Sequence, residues 1–311
     1  MKPTPSLADI RHLCRFFALG KVGNYKVEKK TLFPHANPLI FITTAKGKYA
    51  LKFYPLNFGP TIAQEYAINH ILIAGGFATP LMHAGPKAKP FLMSHEKLVT
   101  CYSYVDGIPA WKRIEDKDLI HQMNAALLSL KQILKAVDLS LLNAERPNLP
   151  LCVHALLRSS RALGPYDQKD IIESSLLRAC QTFKQHRLLF TQEWLHQQPS
   201  LANFLICKKI LYTIDLEHVQ EDYILSDLAG LVISCLSFEL PIKTVKTITN
   251  DYFNQHKIKK EYIVVLNTLV QLGLIEIYLK NIDRKPSGQH TFDLSSRKKS
   301  IPILLKKLRK L

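Results

Sequence analysis

Three polar residues in the second half of the chain have the types and spacing of a cation-binding site. His196, Asn203 and Asp215 lie in the segment from 194 to 229, which reads WLHQQPSLANFLICKKILYTIDLEHVQEDYILSDLA. This pattern predicts a polar loop, two short strands joined by a turn, and an acidic loop that leads into a helix. Because polar groups at strand ends and in loops can face a ligand, we expect the three side chains to surround one point. Asn and Asp offer the oxygen ligands that Mg²⁺ prefers, and nucleotide phosphates would complete its shell.

The segment resembles the catalytic and metal-binding loops of the aminoglycoside phosphotransferase, choline kinase and homoserine kinase superfamily. Its pattern is H-G-D-x-x-x-x-N followed by I-D-[FW]-[ED]. The resemblance implies that Asn203 and Asp215 bind Mg²⁺, with Glu217 as an outer acid. His196 matches the histidine of the catalytic loop, whose role is more often structural than chemical. Asp227 matches a buried aspartate that tethers this loop; it could also be an ordinary residue at a helix N-terminus.

The chain departs from the family at the position of the catalytic aspartate, which is Gln198 here. A glutamine is neutral and cannot accept a proton near pH 7. Positioning and metal electrostatics dominate phosphoryl transfer, so loss of the base would cost roughly 10²–10⁴ in rate without abolishing the reaction. Further departures are Gln197, Ser200 and Ala202, and the absence of a glycine-rich loop at 34–36.

Two functions therefore remain open. One is an ATP- and Mg²⁺-dependent kinase that phosphorylates a small hydroxylated molecule, such as an amino alcohol, a sugar or an aminoglycoside. The other is a pseudokinase that binds nucleotide or ligand without efficient transfer.

The first third of the chain extends the resemblance. Residues 37–55 (NPLIFITTAKGKYALKFYP) are similar to the family's second and third strands, 64–80 to its helix αC, and 99–110 to its linker. The resemblance implies that Lys52 bridges the nucleotide phosphates and that Glu65 holds Lys52 in place. It also assigns Tyr102 to cofactor binding. Alone, Lys52 could be an edge-strand lysine and Glu65 an exposed helix residue, but their order with Asn203 and Asp215 favours a nucleotide site.

Periodicity predicts the elements that must position these residues. A helix over 6–18 has Ser6 and Asp9 in a capping box. Strands are predicted at 25–31, 38–44, 49–54, 81–84 and 98–104, with a helix from Pro60 to a Gly75-Gly76 stop. The remainder is mainly helical. We therefore predict a protein-kinase-like α+β fold of two lobes: a β-rich nucleotide-binding lobe with a leading helix at 1–105, and a helical lobe with the catalytic loops and a basic tail at 106–311.

Composition limits the partners. The chain has 311 residues, 47% of them hydrophobic, and a net charge of +17, which favours anionic partners or reflects a solvated lysine-rich surface. Six scattered cysteines and no visible signal peptide lead us to expect reduced thiols and a cytoplasmic location. No metallohydrolase, Walker A or nucleic-acid-binding motif is present, so nucleic acid is an unlikely partner.

Two apolar patterns could involve a membrane. The run from 262 to 279 contains Asn267, Thr268 and Gln271 on one helical face, which favours a core helix over a membrane span. In the tail at 297–311, leucines lie opposite lysines and arginines. This tail would contact an anionic membrane surface or dock on the protein's own helical lobe. The sequence does not indicate the oligomeric state.

Overall fold

A computed structural model describes residues 5–27, 39–139, 142, 148–161, 169–197 and 199–282, with only the backbone for 27, 281 and 282. The chain forms two compact units. The first contains Met1–Ile108, Ser140–Asn143 and Leu205–His218, and the second contains Pro109–Leu139, Ala144–Phe204 and Val219–Leu311. The predicted division at residues 105 and 106 stays a prediction of domain organisation. The first unit also includes the segment that carries Asp215.

The first unit begins with helix α1 (Leu7–Phe16), whose start is fixed by the predicted capping box. The Ser6 hydroxyl accepts a hydrogen bond from the Asp9 N–H, and the Asp9 carboxylate accepts one from the Ser6 N–H at 2.7 Å. These bonds satisfy N–H groups that have no partner inside the helix. The apolar face of α1, which includes Ile10 and Leu13, packs against the sheet.

A six-stranded antiparallel sheet forms the body of the first unit. Its strands are β1 (Val22–Val27), β2 (Leu39–Thr44), β3 (Gly47–Tyr54), β4 (Met82–His83), β5 (Leu92–Ser94) and β6 (Lys97–Ser103). The strands are ordered β1-β2-β3-β6-β4, and β5 pairs with β6. Helix α2 (Gly59–Ala74) connects β3 to β4. The sequence predicted all of these elements except β5.

Alternation along β3 decides which side chains can meet a ligand. Leu51 and Phe53 face the core that contains α1. Tyr54 belongs to a second cluster, which includes Ile62 of α2. Because successive side chains of a strand point to opposite faces, Lys52 shares the face of Tyr54.

The second unit is mainly helical, as predicted. Its helices are α3 (Lys117–Lys135), α4 (Leu149–Ser160), α5 (Lys169–Gln185), α6 (Ser226–Ser237), α7 (Ile242–Gln255) and α8 (Ile263–Ile282). Two strands that the sequence did not predict, β8 (Gln192–Leu195) and β11 (Gln220–Tyr223), pair antiparallel. A two-residue strand, β7 (Ile108–Pro109), lies where the two units join along the chain.

The apolar run near the end of the described chain forms α8. Among the residues that the structure describes, Lys260–Lys280 is the one helical segment long and apolar enough to span a membrane, and half of its most apolar window is buried inside the protein. Helix α8 packs against α4, α5 and α6. It is therefore a core helix, as predicted. The basic tail at 297–311 lies outside the described residues.

A hairpin precedes Asp215 and has a strained turn. Strands β9 (Phe204–Cys207) and β10 (Ile210–Thr213) are joined by two residues only, Lys208 and Lys209, with φ of 47° and 70°. A two-residue turn with positive φ at both positions is type I′, which favours Asn-Gly. A lysine in this left-handed conformation costs about 1–2 kcal/mol.

We therefore expect Lys209→Gly to stabilise the protein. Glycine adopts this conformation without strain, and its larger unfolded-state entropy offsets part of the gain, which leaves about 0.5–1 kcal/mol in the free energy of unfolding. Urea denaturation measures this change. Lys246→Gly, at an exposed position inside α7, is the matched control and should destabilise the protein by about 1 kcal/mol. Destabilisation by both variants would contradict the assignment of strain to the turn.

Candidate functional site

Lys52 is the centre of a cluster of charged side chains in the first unit. Strand β3 carries Lys52, and its ammonium donates hydrogen bonds to the Asp215 carboxylate and, at 2.9 Å, to Glu217 Oε2. The side chains of Lys52 and Glu217 are 14% and 9% exposed, whereas that of Asp215 is 32% exposed. Burial disfavours the charged lysine, but Asp215, Glu65 and Glu217 outweigh it and raise the pKa of Lys52 well above its usual value. Lys52 is therefore a permanent cation.

The backbone at Asp215 has a conformation that few residues adopt. Its φ is 67°, in the left-handed region, where Asp is among the tolerated residues. The preceding strand is held by a hydrogen bond from the Thr213 N–H to the Ala78 carbonyl at 2.9 Å. Strained backbone of this kind is concentrated at functional sites because the surrounding structure must maintain it. Asp215 and the following turn, Leu216–His218, together direct two carboxylates onto Lys52.

Glu65 has a different partner from the one that the sequence predicted. The described ion pairs of Lys52 are with Asp215 and Glu217, and not with Glu65. Glu65 Oε2 instead accepts a hydrogen bond from the Tyr54 hydroxyl at 3.1 Å. Burial, opposed by Lys52 and supported by Glu217 and Asp215, raises the pKa of Glu65 to about 7. Glu65 therefore acts on Lys52 through its charge and not through an ion pair among the described residues, and its role in holding Lys52 in place stays a prediction.

Tyr102 lies on β6 opposite Ala50 of β3. Its hydroxyl lies 3.4 Å from the Tyr54 hydroxyl and also hydrogen-bonds to Glu65. Burial raises the pKa of Tyr102 and of Tyr54 well above the usual value, so both remain neutral. Tyr102 is therefore part of the same hydrogen-bonded group as Glu65, and its contact with a cofactor stays a prediction.

Glu217 remains ionised through its neighbours. Burial alone would raise its pKa, but the hydrogen bond from His218 and the charge of Lys52 hold the pKa well below its usual value. The distance from His218 Nε2 to Glu217 Oε1 is 3.4 Å. The hydrogen bond to Glu217 in turn raises the pKa of His218. Glu217 is therefore a fixed negative charge beside Lys52.

The loop that contains His196 belongs to the second unit and is anchored by Asp227. The backbone N–H groups of His196 and Gln197 donate to the two Asp227 oxygens, at 3.3 Å and 2.8 Å. Asp227 is fully buried at the start of α6. Burial raises its pKa to about 7, although both N–H groups favour the charged form. Of the two interpretations of Asp227, the structure supports the loop tether.

Gln197, the residue after His196 in this loop, departs from the family pattern. Gln197 replaces the usual glycine, yet it has a left-handed φ of 69°. Its side chain hydrogen-bonds to the buried carboxylate of Asp222 on β11. This bond helps offset the strain that a glycine would avoid. Gln198 lies outside the described residues.

Asn203 ends a short turn in the second unit. Its N–H donates to the Ser200 carbonyl at 2.8 Å, and the Ser200 hydroxyl accepts a hydrogen bond from the Ala202 N–H at 3.3 Å. Ser234 of α6 accepts a hydrogen bond from the Leu201 N–H at 3.0 Å. These bonds define the backbone at Asn203. Its role as a metal ligand stays a prediction.

Sequence reasoning missed four residues of these clusters: Tyr54, His218, Asp222 and Ser234. Tyr54 could have been found, because it follows Lys52 by two residues on a predicted strand and therefore shares its face. Asp222 belongs to a strand that was not predicted, and Ser234 faces the loop only because α6 packs there.

The chain belongs to the phosphotransferase enzyme family, which its sequence matches over residues 34–260. No curated protein gives a significant match. The chain is similar to the structure of amicoumacin kinase hAmiN in complex with AMP-PNP, Ca²⁺ and Ami, with 13% identity, 97% of this chain and 92% of that chain covered, and a TM-score of 0.71.

Two further structures have the same fold. Choline kinase LicA from Streptococcus pneumoniae is 15% identical, with 98% of this chain and 100% of that chain covered and a TM-score of 0.67. Spectinomycin phosphotransferase in complex with ADP and spectinomycin is 13% identical, with coverage of 98% and 95% and a TM-score of 0.66. The predicted family and the kinase-like α+β fold are confirmed.

The raised pKa of Glu65 predicts how stability depends on pH. The pKa of Glu65 is about 7 in the folded protein, against an ordinary 4.5. Between pH 4.5 and 7, the folded state therefore binds more protons than the unfolded state. The stability contribution is fully present below about pH 4.5 and is lost as the pH rises through 7. Glu65 alone should account for a loss of about 3 kcal/mol, and Asp227 should add to it in the same range.

Glu65→Gln should therefore reduce the pH dependence of the free energy of unfolding without removing it. Urea denaturation between pH 5 and 8 measures the slope for the original protein, for Glu65→Gln, and for Glu115→Gln as an exposed control. The control should keep the original slope. A Glu65→Gln profile parallel to that of the original protein would show that Glu65 is ionised throughout this range.

Proposed function

We propose that the protein is an ATP- and Mg²⁺-dependent phosphotransferase that phosphorylates the hydroxyl group of a small molecule. The Lys52 cluster is the observation that carries this proposal. It combines a buried, permanently charged ammonium with a partly exposed carboxylate, in a member of the phosphotransferase enzyme family. Phosphoryl transfer depends on fixed positive charge where phosphate oxygens gather negative charge.

The residues present suit a magnesium ion. Asp215 offers a carboxylate that is 32% exposed, and Asn203 offers an amide oxygen. Among the described residues, no group of three His, Cys, Asp or Glu side chains could hold a metal by itself. Mg²⁺ often uses one or two protein carboxylates and takes its other ligands from water and substrate phosphates, so the partly exposed carboxylate of Asp215 suits it. When bound, the ion would offset the negative charge of the phosphates.

The acceptor class is supported by the related structures. Amicoumacin kinase, choline kinase and spectinomycin phosphotransferase share the fold, and two of these structures contain a nucleotide or its analogue. We propose an amino alcohol, a sugar or an aminoglycoside as the acceptor, and a cytoplasmic location for the reaction.

A pseudokinase is the second candidate function. Gln198 stands at the position of the family's catalytic base, and Ser200 and Ala202 replace its histidine and glycine. On the described sides of this position, Asp227 holds the backbone at Gln197 and Ser234 holds it at Leu201. Such a loop could support ligand binding without rapid transfer.

Binding of Mg²⁺–AMP-PNP should raise the melting temperature. At a free ligand concentration one hundred times the Kd, the stabilisation is about 2.7 kcal/mol, or roughly 5 °C for a chain of this size. Asp215→Asn should abolish the metal-dependent part of the shift, because the amide keeps the shape of the carboxylate and loses its charge. Asp118→Asn, in the first turn of α3, is the control and should behave as the original protein. No shift and no binding heat in the original protein would refute the nucleotide site.

Gln198→Asp tests whether the missing base limits the reaction. We expect nucleotide affinity within a few-fold of the original and phosphate transfer or slow ATP hydrolysis at least roughly tenfold faster, since a positioned carboxylate can accept the hydroxyl proton. The control is Gln198→Asn, which has the size of Asp without its charge and should give no gain. Robust activity that falls in the Asp variant would assign a catalytic role to Gln198 itself. No turnover in any variant, despite nucleotide binding, would favour the pseudokinase.

A further inference from the structure

We propose that Tyr54 is a positioning residue that couples Glu65 to Lys52, in place of a direct ion pair between them. The hydroxyl of Tyr54 holds the Glu65 carboxylate, and the ring of Tyr54 covers the Lys52 ammonium. This inference deepens the proposed function and rests on it, because Lys52 is there the residue that meets the nucleotide phosphates.

The ring contact fixes one side of the ammonium. Lys52 Nζ lies 4.9 Å from the centre of the Tyr54 ring, within the range of a cation–π interaction. Tyr54 is completely buried, and its ring also packs near Phe58. An ammonium has three N–H donors, and two of those on Lys52 are used by Asp215 and Glu217. The aromatic face therefore covers a further side of Lys52, beside the two carboxylates.

The hydroxyl contact fixes the carboxylate. A hydrogen bond to the charged form of a buried acid favours that form. The Tyr54 hydroxyl donates such a bond to Glu65 Oε2 at 3.1 Å. The Tyr102 hydroxyl also hydrogen-bonds to Glu65, but the ring of Tyr54 contacts Lys52 as well. Tyr54 therefore links the position of the Glu65 carboxylate to that of the Lys52 ammonium, although the two charged groups form no ion pair among the described residues.

The fold does not depend on this link alone. Asn69, one helical turn after Glu65 on α2, donates to the Pro80 carbonyl and accepts from the Met82 N–H, both at 2.9 Å. These bonds attach α2 to β4. Removal of the Tyr54 hydroxyl should therefore leave α2 in place, so that its consequence appears at Lys52.

A double-mutant cycle separates coupling from independent action. The four proteins are the original, Tyr54→Phe, Glu65→Gln and the double variant, and Tyr49→Phe is the control. Tyr49 lies on the same strand but faces the core on the other side of the sheet. The first readout is the Kd for Mg²⁺–AMP-PNP by calorimetry. The second, which needs no nucleotide, is the rate at which an amine reagent modifies Lys52 at neutral pH, followed by mass spectrometry.

The proposal predicts that the two single changes are not additive. Each single change should raise the Kd for Mg²⁺–AMP-PNP by about tenfold, which is the effect of losing a hydrogen bond to a charged group. The double variant should show the same rise of about tenfold relative to the original protein. Each should also speed modification of Lys52, with no further increase in the double variant. Tyr49→Phe should change neither quantity.

Three results would overturn the proposal: no effect of Tyr54→Phe, a loss near a hundredfold in the double variant, or a further rise in Lys52 modification there. If the original protein binds no nucleotide, the proposed function fails, and the modification rates alone decide the role of Tyr54. Glu65→Gln keeps the shape of Glu65, so its modification rate still tests the coupling if Tyr54→Phe does not fold. In that case an unchanged rate would overturn the proposal.

Discussion

The first unit is organised around the burial of one ammonium group. Lys52 neutralises part of the charge of Asp215, Glu217 and Glu65, which would otherwise repel one another in a desolvated environment. One positive charge cannot balance three negative charges. The protein resolves the excess by raising the pKa of Glu65 and giving it a neutral tyrosine partner. The left-handed backbone at Asp215 and the position of α2 are both parts of this arrangement.

Local sequence patterns predicted the elements of this site better than its contacts. The tight turn at 45–48, followed by the strand-forming residues at 49–54, predicted the strand that carries Lys52, and Ser6 with Asp9 predicted the start of α1. The choice between Glu65 and Glu217 as partner of Lys52 depends on a turn that is distant in sequence, which periodicity cannot specify. Strands β8 and β11 were missed for a related reason: each has four residues, and QEDY is too polar to suggest a strand.

The loop of the second unit shows that backbone geometry and chemistry can be separated. Gln197 has lost the glycine that a left-handed position favours, yet the conformation persists because Asp227 accepts its N–H and Asp222 accepts its side chain. Sequence reasoning counted Gln197 as a departure from the family pattern. The structure shows that this substitution brings its own compensating bond, so it does not by itself indicate a collapsed loop.

The same distinction bears on whether the protein is an enzyme. A buried group of one lysine and three carboxylates is a poor source of stability, because apolar residues of similar volume often stabilise a fold at least as well. Its presence is better explained by a ligand that requires fixed charge, and both candidate functions include such a ligand. The departures at Gln198 and Ser200 concern proton transfer and the loop around it, whereas the glycine-free segment at 34–36 concerns the cover over the phosphates. Lys52 and Asp215 are not among the departures, so the charged part of a nucleotide site is present even where transfer would be slow. The two candidate functions therefore share one fold and differ in the rate of phosphate transfer.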